Sequence, residues 1–180
     1  MKAVFLDRDG VIVQNRPAYI QSWDDVEFLP GSLDALRRLA ASSYAVVIVS
    51  NQSAVGRGIV PLADAESIHR RIVAEITRHG GRIDASYLCF HAPRDRCSCR
   101  KPAPGLLLHA AEDLRLDLPR SYLVGDALSD LEAAQAVGAR GLLVLTGRGA
   151  AQAALGGLSP ETNPFVVADL SEAMARMLLH

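Results

Sequence analysis

The sequence predicts a doubly wound α/β fold built on a parallel sheet. Three observations carry that prediction. Short β-branched runs alternate with longer segments of helical period, the runs are apolar at consecutive positions, and Gly or Pro marks most of the joins. Strands that are apolar on both faces and separated by helices need a sheet covered on both sides, which a parallel α/β arrangement supplies.

The elements follow in order. Ala3-Val4-Phe5-Leu6 reads as a buried strand that ends at Asp7. Leu33, Leu36 and Leu39 recur at helical spacing after Pro30-Gly31, and Ala45 to Val49 is a continuous apolar strand. Ile68, Ile72, Val73 and Ile76 mark a helix that stops at Gly80-Gly81. Tyr87 to Phe90 is a weaker strand, and Pro104 opens a helix through Leu107, Leu108, Ala111 and Leu114. Tyr122 to Val124 is a strand, Leu131 to Val137 a helix closed by Gly138, and Gly141 to Leu145 a strand. Val166-Val167 and Ser171 to Leu179 give a last strand and helix, while Gly147 to Gly157, rich in Gly and Ala, reads as a loop with room for one helical turn. No internal repeat and no interdomain linker is visible.

A chain of 180 residues predicts one domain over residues 1–180. The net charge of −1 argues against a nucleic-acid or anionic-membrane binder, since phosphate backbones are gripped through excess Lys and Arg. No apolar run approaches the ~18–20 residues of a membrane span. The first apolar run meets Asp7 too early for a signal-peptide core, so a cytoplasmic protein is expected; a monomer is expected as well. All three cysteines fall between Cys89 and Cys99, which rules out a disulfide framework.

In open α/β sheets ligands bind beyond the carboxyl ends of the strands. There the sequence places Asp7-Arg8-Asp9-Gly10, Ser50-Asn51-Gln52-Ser53, Arg100-Lys101-Pro102, and Gly125-Asp126 with Asp130 a turn later. Taken singly, each is more often a helix cap, a turn former or a solvated charge. As a set they gather carboxylates suited to Mg²⁺ with Ser and Lys suited to a phosphoryl group.

The segment Cys89-Phe90-His91-Ala92-Pro93-Arg94-Asp95-Arg96-Cys97-Ser98-Cys99 holds the inventory of a Cys₃His structural zinc site, although its C-x-H and C-x-C pairs are tighter than usual. Free buried thiols are the plain alternative. The loop runs straight into Arg100-Lys101, so a metal there would fix the lysine. His69 and His79 read as solvated or capping residues, and His109 and His180 carry no visible role.

Asp7-Arg8-Asp9-Gly10-Val11, Ser50-Asn51-Gln52, Lys101 and Gly125-Asp126 with Asp130 resemble, in order, the four motifs of the haloacid dehalogenase (HAD) superfamily phosphatases. The resemblance implies a Rossmann-like core and Mg²⁺-dependent chemistry. Asp7 would be the nucleophile forming an aspartyl-phosphate, and Asp9 the acid/base. Ser50 and Lys101 would hold phosphoryl oxygens. Asp126, the Asp7 carboxylate and the Asp9 carbonyl would bind Mg²⁺, with Asp130 behind them.

A cysteine loop beside Arg-Lys-Pro is similar to two branches of that superfamily, one acting on a heptose bisphosphate and one on histidinol phosphate. Ser50-Asn51-Gln52-Ser53-Ala54-Val55-Gly56-Arg57-Gly58 resembles the first. That likeness implies removal of the C7 phosphate of D-glycero-D-manno-heptose 1,7-bisphosphate, in ADP-heptose and lipopolysaccharide-core biosynthesis. Asn15, Tyr19, Asn51, Gln52, Ser53, Arg57 and Arg100 would contact substrate. A second anion on the substrate suits the two arginines. The alternatives are a histidinol-phosphate phosphatase and, from another class, a non-catalytic zinc-bearing interaction module. Val11 stands where Thr is common, and Ala127 where some heptose enzymes carry Lys. Neither Ile12–Phe28 nor the stretch after the second motif has room for a cap domain. Closure would therefore fall to Asn15–Tyr19, Ser53–Gly58, the zinc loop and Thr146–Gly149.

Overall fold

The structure, a computed structural model, describes residues 1–178, so Leu179, the end of the expected last helix, and His180 lie outside the described residues. Six strands form one parallel sheet in the order β3-β2-β1-β4-β5-β6: β1 (Ala3–Leu6), β2 (Ala45–Asn51), β3 (Ala85–Cys89), β4 (Tyr122–Gly125), β5 (Arg140–Val144) and β6 (Val166–Val167). The helices are α1 (Ser32–Ala40), α2 (Ser53–Gly56), α3 (Leu62–Arg78), α4 (Gly105–Leu114), α5 (Leu128–Ala136), α6 (Gly149–Leu155) and α7 (Leu170–Leu178).

The central strands feed two cores, as their period of two requires. Val4, Leu6, Val46 and Ile48 pack on one face with Leu36 and Leu39 of α1, Ile72 and Ile76 of α3, and Met174 and Met177 of α7. Ala3, Phe5, Val47, Val49 and Leu123 pack on the other with Leu107 and Ala110 of α4 and Ala133 and Ala134 of α5. Truncating a fully buried member such as Leu107 or Ile72 would cost roughly 2–5 kcal/mol. Because β1 pairs with β2 on one side and β4 on the other, the strand order reverses at β1. Asp7 and Asp126, the residues that follow β1 and β4, flank that reversal.

Several boundaries differ from the sequence expectation. Helix α3 begins six residues before Ile68; its first turns escape the apolar pattern because Leu62, Ala63, Asp64, Glu66 and Ser67 are exposed. Helix α5 likewise starts at Leu128 rather than Leu131. The expected loop at Gly147–Gly157 contains α6, an alanine-rich helix whose buried residues are only Gly149 and Ala153. Alanine's propensity makes it helical, and the missing apolar stripe hid it. Segment 12–28, between the first strand and α1, carries no helix beyond the short 3₁₀ turn Trp23–Asp25. Among the described residues no helix is long and apolar enough to cross a membrane.

Candidate active site

Asp7 emerges from β1 with its amide donating to Val124 O of β4 at 2.9 Å, which pins the carboxylate at the strand reversal. Its Oδ1 accepts from Ser50 Oγ at 2.7 Å and from the Arg8 amide at 2.7 Å. Lys101 Nζ stands 3.1 Å from Asp7 Oδ2 and 2.6 Å from Asp130 Oδ1, and it donates to Val49 O at 2.8 Å. Burial alone would lower the Lys101 ammonium, but the Asp130 and Asp7 carboxylates outweigh it and raise its pKa. The lysine therefore stays a cation inside the protein. Burial, with the Asp7 charge, raises the Asp130 carboxyl to about 6 despite Lys101. Asn51 holds the lysine's backbone from both sides, accepting from Lys101 N at 3.1 Å and donating to Lys101 O at 3.0 Å.

Asp126, fully buried after β4, accepts from Asn15 Nδ2 at 2.9 Å and from the Arg148 amide at 2.9 Å. The Arg148 guanidinium reaches the same carboxylate, Nη2 to Oδ1 at 3.0 Å. Burial raises the Asp126 carboxyl. Two glycines make this close approach possible. A Cβ on Gly10 (φ 91°) would collide with Asp126 Oδ2, and one on Gly147 (φ 58°) with both that oxygen and the Gly10 Cα. Thr146 Oγ1 donates to Gly10 O at 2.7 Å and ties the two loops together.

Oxygens of Asp7, Asp126 and Asp130 lie within 4.8 Å of one another. Hard carboxylate oxygens in so small a space fit Mg²⁺, which takes one or two carboxylates and keeps the rest of its shell for water and phosphate. Asp130 already holds Lys101 and receives the Ala127 amide at 3.1 Å, so it braces the cluster.

These groups open into one cleft of about 750 Å³ lined by Asp7, Asp9, Asn15, Tyr19, Ser50, Asn51, Ser53, Arg57, Arg100 and Lys101, together with Arg16 and Arg148. Five cations, Arg16, Arg57, Arg100, Lys101 and Arg148, face two carboxylates in that lining. Tyr19 holds a left-handed backbone (φ 65°) at the cleft wall. Gln52, expected to touch substrate, points elsewhere: its side chain meets Arg8, Asp9 and Ser50. Arg16 and Arg148 were missed by sequence reasoning. Arg148 follows β5 by a short loop, and the strand-end rule applied to β5 would have found it.

Cys89, His91, Cys97 and Cys99 form a second cluster. Sulfur separations are 3.6 Å (Cys89–Cys97), 3.4 Å (Cys97–Cys99) and 3.2 Å (Cys89–Cys99), and His91 Nδ1 is 3.6 Å from Cys89 and 3.3 Å from Cys99. A zinc ion with Zn–S bonds of ~2.3 Å sets tetrahedral edges of ~3.7 Å, so these four donors fit a structural zinc. Burial pushes the Cys89 thiol up to about 12, and a zinc ion bound there would favour its thiolate. The cluster touches the site twice: Gln52 N donates to Cys89 O at 2.7 Å, and Cys99 leads directly into Arg100-Lys101.

His69 is a correction. Expected to be solvated or capping, it is 7% exposed, and both ring nitrogens are buried without a partner. Burial, then the nearby Arg8 charge, lowers it to about 4, so it is neutral at pH 7. His79 is exposed at the end of α3, with Nδ1 2.9 Å from Glu75 O.

The HAD-hydrolase-like family matches residues 98–173. The chain is 41% identical over 179 residues to the D-glycero-β-D-manno-heptose-1,7-bisphosphate 7-phosphatase of Pseudomonas putida, covering 99% of this chain and 100% of that one. It is also 41% identical to the enzyme of the same name from Bordetella bronchiseptica, covering 99% and 98%. A crystal structure of D,D-heptose 1,7-bisphosphate phosphatase from B. bronchiseptica, complexed with magnesium and phosphate, superposes with a TM-score of 0.91 at 40% identity, covering 99% of each chain.

Proposed function

The chain belongs to the D-glycero-β-D-manno-heptose-1,7-bisphosphate 7-phosphatase family of HAD-like hydrolases, and from that premise we propose that it removes the C7 phosphate of this sugar bisphosphate through an aspartyl-phosphate on Asp7. The observation that carries the reading is the cleft in which a buried nucleophilic carboxylate meets Lys101 and Ser50 while further arginines line the wall.

Asp7 attacks phosphorus in line with the sugar oxygen. The Asp7 Oδ–P bond forms, the P–O bond to the sugar breaks, and Asp9 gives its proton to the departing oxygen. Water then attacks phosphorus, its proton passes to Asp9, and the Asp7–phosphoryl bond breaks. Lys101 and Ser50 hold equatorial phosphoryl oxygens and offset the repulsion between carboxylate and phosphate. Asp7, Asp126 and the Asp9 carbonyl would hold Mg²⁺, which supplies further charge neutralisation when bound. Arg57 and Arg100 take the anion at the sugar's other end, with Asn15, Tyr19, Asn51 and Ser53 around the ring. Closure falls to short loops, with the whole chain working as one domain without a cap, as a monomer in the cytoplasm.

Asp7→Asn tests this. It should keep the melting temperature within a few degrees, lose at least ~10⁴-fold in phosphate release and leave no acid-stable phosphoryl label on the chain. Near-normal turnover in that variant contradicts the mechanism.

A further inference from the structure

Arg8 sits between the two catalytic carboxylates in sequence, yet it is 2% exposed and lies behind the cleft, in a small cavity with Ile20, Gln52, Val60 and Ile68. Its Nε donates to Asp9 Oδ1 at 2.7 Å, and its Nη2 donates to Asp9 Oδ2 at 3.1 Å and to Gln52 Oε1 at 2.7 Å. A guanidinium has donors only, so the Gln52 carbonyl must face it. The Gln52 amide is thereby turned the other way, donating to Asp9 Oδ2 at 3.1 Å and to Ser50 Oγ at 3.1 Å.

The count of lone pairs then becomes informative. A carboxylate offers about four acceptor positions, two on each oxygen. Oδ2 of Asp9 accepts two hydrogen bonds, whereas Oδ1 accepts one. The clamp therefore leaves Oδ1 as the oxygen with room for a proton.

The site's cations are also sorted. Lys101 pairs with Asp7 and Asp130, Arg148 with Asp126, and Arg8 with Asp9. His69, kept neutral by burial, adds no second charge beside Arg8.

We propose that Arg8, acting through Gln52, is a positioning residue that fixes the Asp9 carboxyl in one orientation, assigns the transferable proton to its Oδ1, and keeps it apart from Lys101 and the Asp7–Asp126–Asp130 cluster. The inference rests on the proposed phosphatase reading. Arg8 is buried and does not line the cleft. Its contribution is orientation, and small misplacements of a reacting group can cost ~100-fold.

The test compares two phosphate esters. A sugar oxygen needs a proton to leave, whereas p-nitrophenolate departs without one, so kcat/KM on p-nitrophenyl phosphate is insensitive to a misaimed acid. Arg8→Met should lower kcat/KM on the heptose bisphosphate by ~100-fold and on p-nitrophenyl phosphate by less than ~5-fold. Arg8→Lys, which keeps a donor and the charge, should recover at least ~10-fold of the loss. Gln52→Met should show the same asymmetry at smaller size, and it carries the test if Arg8→Met does not fold. Equal losses on both esters mean a merely structural role and overturn the inference, as does unchanged activity on both. A wild-type protein that hydrolyses neither ester in Mg²⁺ overturns the phosphatase reading itself, and the Arg8 role with it.

Discussion

The strand-reversal cluster and the cysteine loop solve one problem, holding charge in place, by opposite means. At the reversal Asp7, Ser50, Lys101, Asp126 and Asp130 come from distant parts of the chain, and all are buried. Backbone pairing between β1, β2 and β4 positions most of them, and their charges are neutralised by each other. In the cysteine loop four ligands fall within residues 89–99, the segment carries only a 3₁₀ turn after β3, and much of it is exposed. One region is preorganised by the sheet. The other is organised by its ligand set. Lys101 belongs to both, since its ammonium ends in the first and its backbone leaves from the second.

Lys101→Met should have the largest effect, because this residue joins the two regions. The substitution removes the counter-ion of two buried carboxylates together with the proposed phosphoryl contact. We expect phosphate release to fall by at least ~10³-fold and stability by about 3–5 kcal/mol, read by steady-state kinetics and by denaturant melts of the same sample. A variant that stays fully stable would mean that Asp7 and Asp130 do not depend on this cation.

Zinc removal separates the two regions. A strong thiol-reactive chelator should release about one zinc per chain, lower the melting temperature and reduce kcat through Lys101, while far-UV circular dichroism of the sheet core persists. Freshly purified reduced protein without zinc, or chelation without effect on either quantity, would refute the role given to the loop.

The smallest effect concerns His69. Its folded pKa lies near 4 against an ordinary value of 6.5. The folded state thus binds fewer protons than the unfolded one between those values, and the neutral ring's contribution is complete above pH 6.5 and lost as pH falls towards 4. At roughly 1.4 kcal/mol per pKa unit this is on the order of 3 kcal/mol. His69→Phe should gain stability relative to the wild type as pH drops from 7 to 4. Parallel melting curves across that range would contradict it.

The same contrast explains what was legible in the sequence. Asp7, Ser50, Lys101 and Asp126 stand out because polar residues follow continuous apolar strands or precede a helix, and burying them there without partners would be costly. The cysteine loop is legible because its donors are close in sequence. Arg16 and Arg148 were not, since an arginine in a loop looks the same whether it lines a cleft or meets solvent. Gln52 misled for a related reason: an amide after a strand can turn towards ligand or towards the protein, and only Arg8 decides which. His69 stands at helical spacing from Ile72, Val73 and Ile76, so the period of α3 does place it on the buried face; it was misread because a titratable ring was assigned to solvent by residue type alone.

The identity of the ester can be tested directly. Mg²⁺-dependent phosphate release should be measured for D-glycero-β-D-manno-heptose 1,7-bisphosphate and for histidinol phosphate, with the zinc-loaded protein at equal concentrations. At least ~10-fold higher kcat/KM is expected for the heptose bisphosphate, with only the C7 phosphate released. A preference of that size for histidinol phosphate, or release of the C1 phosphate instead, would contradict it.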